Sequence, residues 1–554
     1  CSHSFVVSLE VILLTCFVIM TSVVSQDTIP QKFLTVAEKS KFKATSRSAE
    51  VEAFLAACAD RANHVHETAI GKTVEDRPIV AAIVANPPVQ AAQDLKEDPR
   101  LVVMLLGNIH SGECAGKEAL LMLLRELTLD AQHPWLAHAV FVFIPNYNAD
   151  GNDRVGKAHR PGQLGPVDGM GLRENAQGFD LNRDFIKLAT PEGNSLVRAI
   201  DRWNPHLFID THTTNGSKHR YQLTYDIPHN PAAPSAVVGY MRKQMLPAIT
   251  EQLEKDGIST FYYGNFNREH TQWLTYGNEG RYSTEYCGLR GRLSILSEAY
   301  SYVSYQTRVE ASKAFVLACV NYVVDEREDI KQLLAKASET FPESVPLRSK
   351  TVAFAEQPVV LGYDESDPEH LKPKDYTVEF HGKSEPILKV TRPFAYVIPF
   401  ECSRVADRLI RHGIPLTQLT EEVTLEIESY TAKKLDHASR PFQGHSMVTA
   451  EVTKTQKTQT LAKGSYVVRT DHPLGTLAVY LLEPESEDGL VTWNFFDDRW
   501  NNSDVYPVVR VPTEVPLKTL VVEQVVPAER LTMDKIYGPK NRISFQSSRS
   551  TPRW

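Results

Sequence analysis

Residues 100–121 read RLVVMLLGNIHSGECAGKEALL. The stretch opens with an unbroken apolar run, Arg100–Gly107, of the kind buried on both faces of an α/β sheet. Directly behind it, Glu113–Thr128 carries Leu120, Leu121, Leu124 and Leu127 at helical spacing, so the chain passes from strand to turn to helix. Working outward, residues 48–66 read as a helix and Lys72–Val84 as strand-like sequence. Val140–Ile144, His206–Ile209 and Leu293–Leu296 repeat the short buried-strand pattern, with helical stretches Glu192–Arg202 and Ser235–Lys255 between them. Strands alternating with helices predict an α/β fold, a mostly parallel mixed sheet with helices on both faces.

The texture changes twice. Residues 152–178, rich in Gly, Pro, Asn and Arg, read as a long surface loop of the kind that carries function. Beyond an amphipathic segment ending near Ala337, β-branched runs follow one another: Thr351–Ala355, Ala395–Ile398, Ser465–Arg469, Leu477–Leu482 and Thr519–Val526. The expected division is an α/β domain over 26–337 and a β-rich C-terminal domain over 338–554, packed against the first. Residues 1–25 are set apart. Val6–Val24 is almost continuously apolar, with a core too short to span a bilayer and small residues before Gln26, which reads as a secretory signal. A secreted or periplasmic protein with no membrane span after signal removal is expected; a retained anchor is the rival reading.

The 554 residues hold 60 Lys+Arg against 68 Asp+Glu, a formal charge of −8, so no footprint for a nucleic-acid partner exists. Of seven cysteines, Cys1 and Cys16 fall in the signal, and the remaining five form no CxxC pair; neither a thiolate zinc site nor a disulfide framework is indicated. Two glycine-lysine pairs, Gly71-Lys72 and Gly382-Lys383, lack the earlier glycine of a phosphate loop, and no G-x-S-x-G serine elbow occurs. Oligomeric state is not legible.

The chemistry starts at the turn after the first strong strand. His110 and Glu113, three residues apart, can converge on one ion. Alone the pair is weak, since about one H-x-x-E is expected by chance in such a chain. His64 and Glu67 supply that chance pair and read as solvated helix surface. What lifts His110 and Glu113 is company: PHLFIDTHTTNG brings His212 just past a strand, and RLSILSEAYSY brings Glu298 near the end of another. Ligand crevices of open α/β sheets lie at the carboxyl ends of strands, so all four residues can meet there. Two imidazoles and a carboxylate leave a fourth zinc position for water, with Glu298 as general base.

With these residues in place, the chain resembles the zinc metallocarboxypeptidase family, of carboxypeptidase A, B and D type. It presents, in family order, HSGE (His110–Glu113), PNYNADG (Pro145–Gly151), RENAQGFDLNRDF (Arg173–Phe185), DTH (Asp210–His212) and SEAY (Ser297–Tyr300), over about residues 60–325. The resemblance implies one zinc ion on His110, Glu113 and His212, and Glu298 activating its water. Arg173, nine residues before Asn182 as in D-type members, would polarise the scissile carbonyl. Asn182 and Arg183 would receive the substrate's terminal carboxylate, Arg183 through a bidentate pair that Lys could not imitate. Asp180 would hold the distal nitrogen of His110 and fix its tautomer. Arg160 is a competing carbonyl clamp, and Asp210 stays open between orienting residue and strand-end cap. The resemblance also implies a tyrosine that closes over substrate; Tyr276, Tyr282 and Tyr286 all stand in the right region, and spacing favours Tyr276.

The expected activity is hydrolysis of C-terminal peptide bonds, with peptide or protein C-termini as substrates. Two alternatives stand beside it: a zinc amidase or endopeptidase on cell-wall peptides or acyl-amino acids, and an inactive exported binding module. Retention of Glu298 argues against the last, because a protein that only binds zinc needs no general base. D-type relatives carry a small β-sandwich after the catalytic domain; here the segment is longer, roughly 200 residues, and no motif identifies it.

Overall fold

The structure, a computed structural model, describes residues 29–367, 369–500 and 504–525, so the expected signal lies outside the described residues. In chain order the first region forms strands β1 (Val65–Lys72), β2 (Pro78–Val84), β3 (Leu101–Gly107), β4 (Ala139–Ile144), β5 (Leu207–Thr214), β6 (Leu223–Asp226), β7 (Thr260–Tyr262), β8 (Asn265–Phe266), β9 (Gln272–Leu274) and β10 (Leu293–Tyr300). Eight of them make one sheet in the order β1-β2-β4-β3-β5-β10-β6-β7. Its centre is parallel: β3 runs with β4 and β5, and β5 with β10. The antiparallel pairings, β1 with β2, β2 with β4 and β6 with β10, lie to either side of it.

The period of a strand explains how the sheet is covered on both sides. In β3, Leu101, Val103 and Leu105 enter one core with the helices Ser48–Arg61, Ala115–Leu129 and Tyr305–Asp325. Val102, Met104 and Leu106 enter the other, with Leu196, Val197 and Ile200 of the helix Pro191–Trp203. That second core continues without a break into the C-terminal region, taking in Tyr396, Ile398, Val405, Leu409, Leu477, Tyr480 and Trp493. A short strand of that region, Glu379–His381, also runs parallel to β9. The C-terminal region thus closes one face of the first sheet and extends a second, smaller one.

Its own largest sheet has seven strands, in the order Val448–Leu461, Val423–His437, Val509–Val511, Ala395–Ile398, Tyr466–Arg469, Leu416–Leu419 and Thr519–Val522. The first two are a long hairpin. Three expectations need correction. Leu477–Leu482, expected as a strand, belongs to the helix Gly475–Leu482: a short run that is apolar on every side has no period to distinguish the two, and its wholly buried site decides. His64 and Glu67 are not on a helix surface. The helix ends at Arg61, His64 is buried with Nε2 2.8 Å from the carbonyl of Leu127, and Glu67 lies on β1. His212, expected just past a strand, stands inside β5. Among the described residues all five cysteines are free and buried, and no helix is long and apolar enough to cross a membrane.

Candidate active site

The carboxyl ends of β3, β5 and β10 form the floor of a cleft. Leaving β3, the backbone turns through Asn108 in a left-handed conformation (φ 64°) and closes a tight turn in which the Glu113 amide donates to the carbonyl of His110, 2.8 Å away. This turn puts His110 Nδ1 3.1 Å from Glu113 Oε1. His212 arrives from β5, with Nδ1 2.8 Å from Glu113 Oε2 and 3.2 Å from His110 Nδ1. Glu298 on β10 is the register partner of His212 across the parallel ladder. Side chains at paired positions share a face, which brings Glu298 to the same point.

Each imidazole is held from behind. His110 Nε2 lies 2.9 Å from Asp180 Oδ1, and His212 Nε2 lies 2.9 Å from Asp210 Oδ2. With both distal nitrogens bound to carboxylates, both Nδ1 atoms are turned toward Glu113, and donor atoms of the three residues fall within 4.8 Å of one another. All three residues are buried. Two Nδ1 lone pairs and a carboxylate, backed by carboxylates, are a donor set that fits zinc and leaves a position open.

The electrostatics follow from burial and pairing. Burial raises the Glu113 carboxyl, but His110 and Arg160 beside it outweigh that and hold it well below the usual range. Asp180 behaves likewise, through His110 and Arg173. Burial lowers His212, yet Asp210 and Glu113 carry it well above an ordinary histidine. Glu298 differs: burial, reinforced by Glu113 and opposed by His212, Arg160 and Arg173, pushes its carboxyl up to about 8. Its Oε2 is out of water and without a hydrogen-bond partner.

Two arginines approach from the long loop. Arg173 donates from Nε and Nη2 to Asp180 Oδ2 at 3.0 and 2.8 Å, and its Nη1 lies 3.3 Å from Glu113. Arg160 donates to Glu113 Oε1 at 2.7 Å and to the carbonyl of Thr213 at 2.6 Å. Its side chain passes 2.5 Å from the place a Cβ on Gly112 would occupy, so a larger residue there would displace Arg160. Both arginines line the cleft, with Asn182, Arg183, Tyr263, Tyr276 and Tyr282.

Asn182 is tied down: its Oδ1 accepts from the amide of Ser283 at 2.8 Å, and its Nδ2 lies 3.5 Å from His212 Nε2. Arg183 lays its guanidinium over the ring of Tyr282, 4.5 Å from the centroid. Tyr276 lies in the cleft wall with its hydroxyl buried and without a partner. Tyr286 is elsewhere, wholly buried with its hydroxyl 2.9 Å from His412 Nδ1. The site also holds residues outside the expected set. Asp210 was legible, since residues two apart on a strand project together and His212 is two positions on. Tyr263 had no sequence signal.

A mixed α/β sheet thus gathers two histidines and a glutamate that could hold a metal ion at its strand ends, with a second glutamate alongside. Residues 51–230 match the sequence model of the zinc carboxypeptidase family. It is 22% identical over 437 residues to Carboxypeptidase 2 of Trichophyton rubrum, covering 74% of this chain and 77% of that one. Carboxypeptidase D of Rattus norvegicus is 33% identical over 159 residues, 24% of this chain and 11% of the relative. A metallo-carboxypeptidase structure from Burkholderia cenocepacia aligns with a TM-score of 0.35 at 20% identity, covering 50% of this chain and 68% of that one.

Proposed function

We propose that the protein is a zinc-dependent carboxypeptidase that removes residues from the free C-termini of peptides. The observation that carries the reading is the single cleft in which a three-residue donor set, a partnerless glutamate oxygen and two arginines meet. His110, Glu113 and His212 would hold the ion. Bound there, zinc supplies Lewis acidity, making water nucleophilic at a pH of about 7 and polarising the scissile carbonyl.

The chain's own residues do the rest. Asp180 and Asp210 keep the distal nitrogens of His110 and His212 occupied, so that the Nδ1 lone pairs stay aimed at the ion. Glu298 accepts a proton from the attacking water on its free oxygen and returns it to the leaving amine. Arg173, fixed by two hydrogen bonds to Asp180, bears the charge that develops on the carbonyl oxygen. Arg183, braced on the Tyr282 ring, receives the terminal carboxylate with Asn182 beside it, and Tyr276 covers the substrate. The free-carboxylate requirement gives the test. Peptides with unblocked C-termini should be shortened by single residues, amidated ones should resist, and a zinc chelator should stop the reaction. Equal cleavage of both, or internal cleavage, would favour the amidase or endopeptidase alternative.

A further inference from the structure

The C-terminal region touches Asp180, the residue behind His110 of the cleft. The long hairpin of strands Val423–His437 and Val448–Leu461 ends in a tight turn in which Phe442 and His445 exchange backbone hydrogen bonds of 2.8 and 3.0 Å. The two residues between them, Gln443 and Gly444, have φ of 50° and 80°, the both-positive pattern of a type I′ turn. Glycine suits its position. Glutamine does not: Asn or Gly is the preferred residue where L side chains must adopt the left-handed region. A glutamine held there is a local cost, and such costs persist where something else requires the side chain.

The requirement is visible. Gln443 Oε1 accepts from the backbone amide of Asp180 at 2.9 Å, across 263 residues of sequence. Asp180 is the node of the site, with Oδ1 on His110 and on the amide of Asn182, and Oδ2 on Arg173. Asparagine would fit the turn better, but its side chain is one methylene shorter. The turn is also anchored on the other cleft wall: Arg281, next to Tyr282, has its guanidinium centred 5.5 Å from the Phe442 ring and pairs with buried Asp488 at 3.0 Å.

We propose that the Phe442–His445 turn braces the active site from behind and that Gln443 is a positioning residue, acting through Asp180 on the metal ligand His110 and on Arg173. The proposal rests on the carboxypeptidase reading. The test compares the full-length protein with its Gln443→Asn variant, which relieves the turn but loses the reach, and Gln443→Met, which keeps the length but loses the acceptor. Zinc affinity is read by chelator competition, turnover on an unblocked peptide, and thermal midpoint by calorimetry.

The Asn variant should melt at or above the wild-type temperature, yet bind zinc several-fold more weakly and lose about tenfold in kcat with KM within about twofold, the low end for residues supporting metal ligands. The Met variant should show the same weakened zinc binding and turnover. Wild-type zinc affinity and kcat in both variants would overturn the proposal, as would losses that merely track a lowered melting temperature. Failure of the wild-type protein itself to bind zinc or shorten the peptide would overturn the carboxypeptidase reading, and the proposal with it.

Discussion

Both large sheets bury charge, and they do so in opposite ways. Against the seven-stranded sheet, Glu483 at the end of the helix Gly475–Leu482 is buried with both oxygens occupied, by the hydroxyls of Tyr396 at 2.5 Å and Tyr430 at 2.7 Å, while Arg510 lies 3.2 Å from one of them and 3.3 Å from Glu428. In the eight-stranded sheet, Glu298 Oε2, Asp210 Oδ1 and Thr213 Oγ1 are all out of water with no partner. Buried polar groups in folded proteins are overwhelmingly satisfied, so an unpartnered glutamate oxygen beside the His110–Glu113–His212 donor set is a place for a ligand to bind. On the proposed function, the C-terminal network is scaffold and the other is machinery.

Removing a charge from each should therefore give opposite signatures. The largest effect falls on Glu298→Gln, expected to keep zinc by metal analysis while losing about 10²–10⁴-fold in kcat, the usual contribution of a general base. Full activity in that variant would erase the distinction. Arg510→Met is the counterpart. It strands Glu483 and Glu428 in the core, at a cost of about 3–5 kcal/mol in a denaturant titration, while kcat measured well below the melting temperature stays at the wild-type value. Asp180→Asn should weaken zinc binding or turnover by about 10–100-fold, because it supports the ligand rather than being one; competition with a chelator reads it directly.

The smallest expected effect sits on the seam between the regions. Burial, with Glu279 and Asp488 adding to it, pushes the Glu487 carboxyl from an ordinary 4.5 up to about 7. The folded protein thus holds that proton more tightly than the unfolded chain. The stability it contributes is complete below 4.5 and disappears as pH rises through about 7. Glu487→Gln should flatten the fall in melting temperature over that window, by a small amount because the side chain is only half-buried. An unchanged slope would remove Glu487 from the seam's energetics.

What the sequence made legible follows the strength of its periodic signals. Arg100–Gly107 and Val140–Ile144 sit where both faces of a sheet are covered, which is what their unbroken apolar runs signal. Glu298 and His212 were readable because each follows such a run. The C-terminal hairpin was not: Val448–Leu461 is exposed along most of its length and rich in Thr, Lys and Gln, leaving no apolar alternation to detect. Arg160 stood as a competitor to Arg173, and the structure sets both on Glu113, a pairing that loop sequence without period could not rank. Gln443 lay beyond reach for a different reason. Its importance comes from one hydrogen bond to a residue 263 positions away, and no local pattern encodes that separation.

The tether between Arg281 and Asp488 spans 207 residues, and that separation sets an order of events on the ribosome. At about 5–20 residues per second, the wall bearing Tyr276 and Tyr282 waits about 10–40 s after its own synthesis before its anchor is made. A nascent chain paused in that interval past Glu298 has every residue of the proposed metal centre but an unfinished cleft.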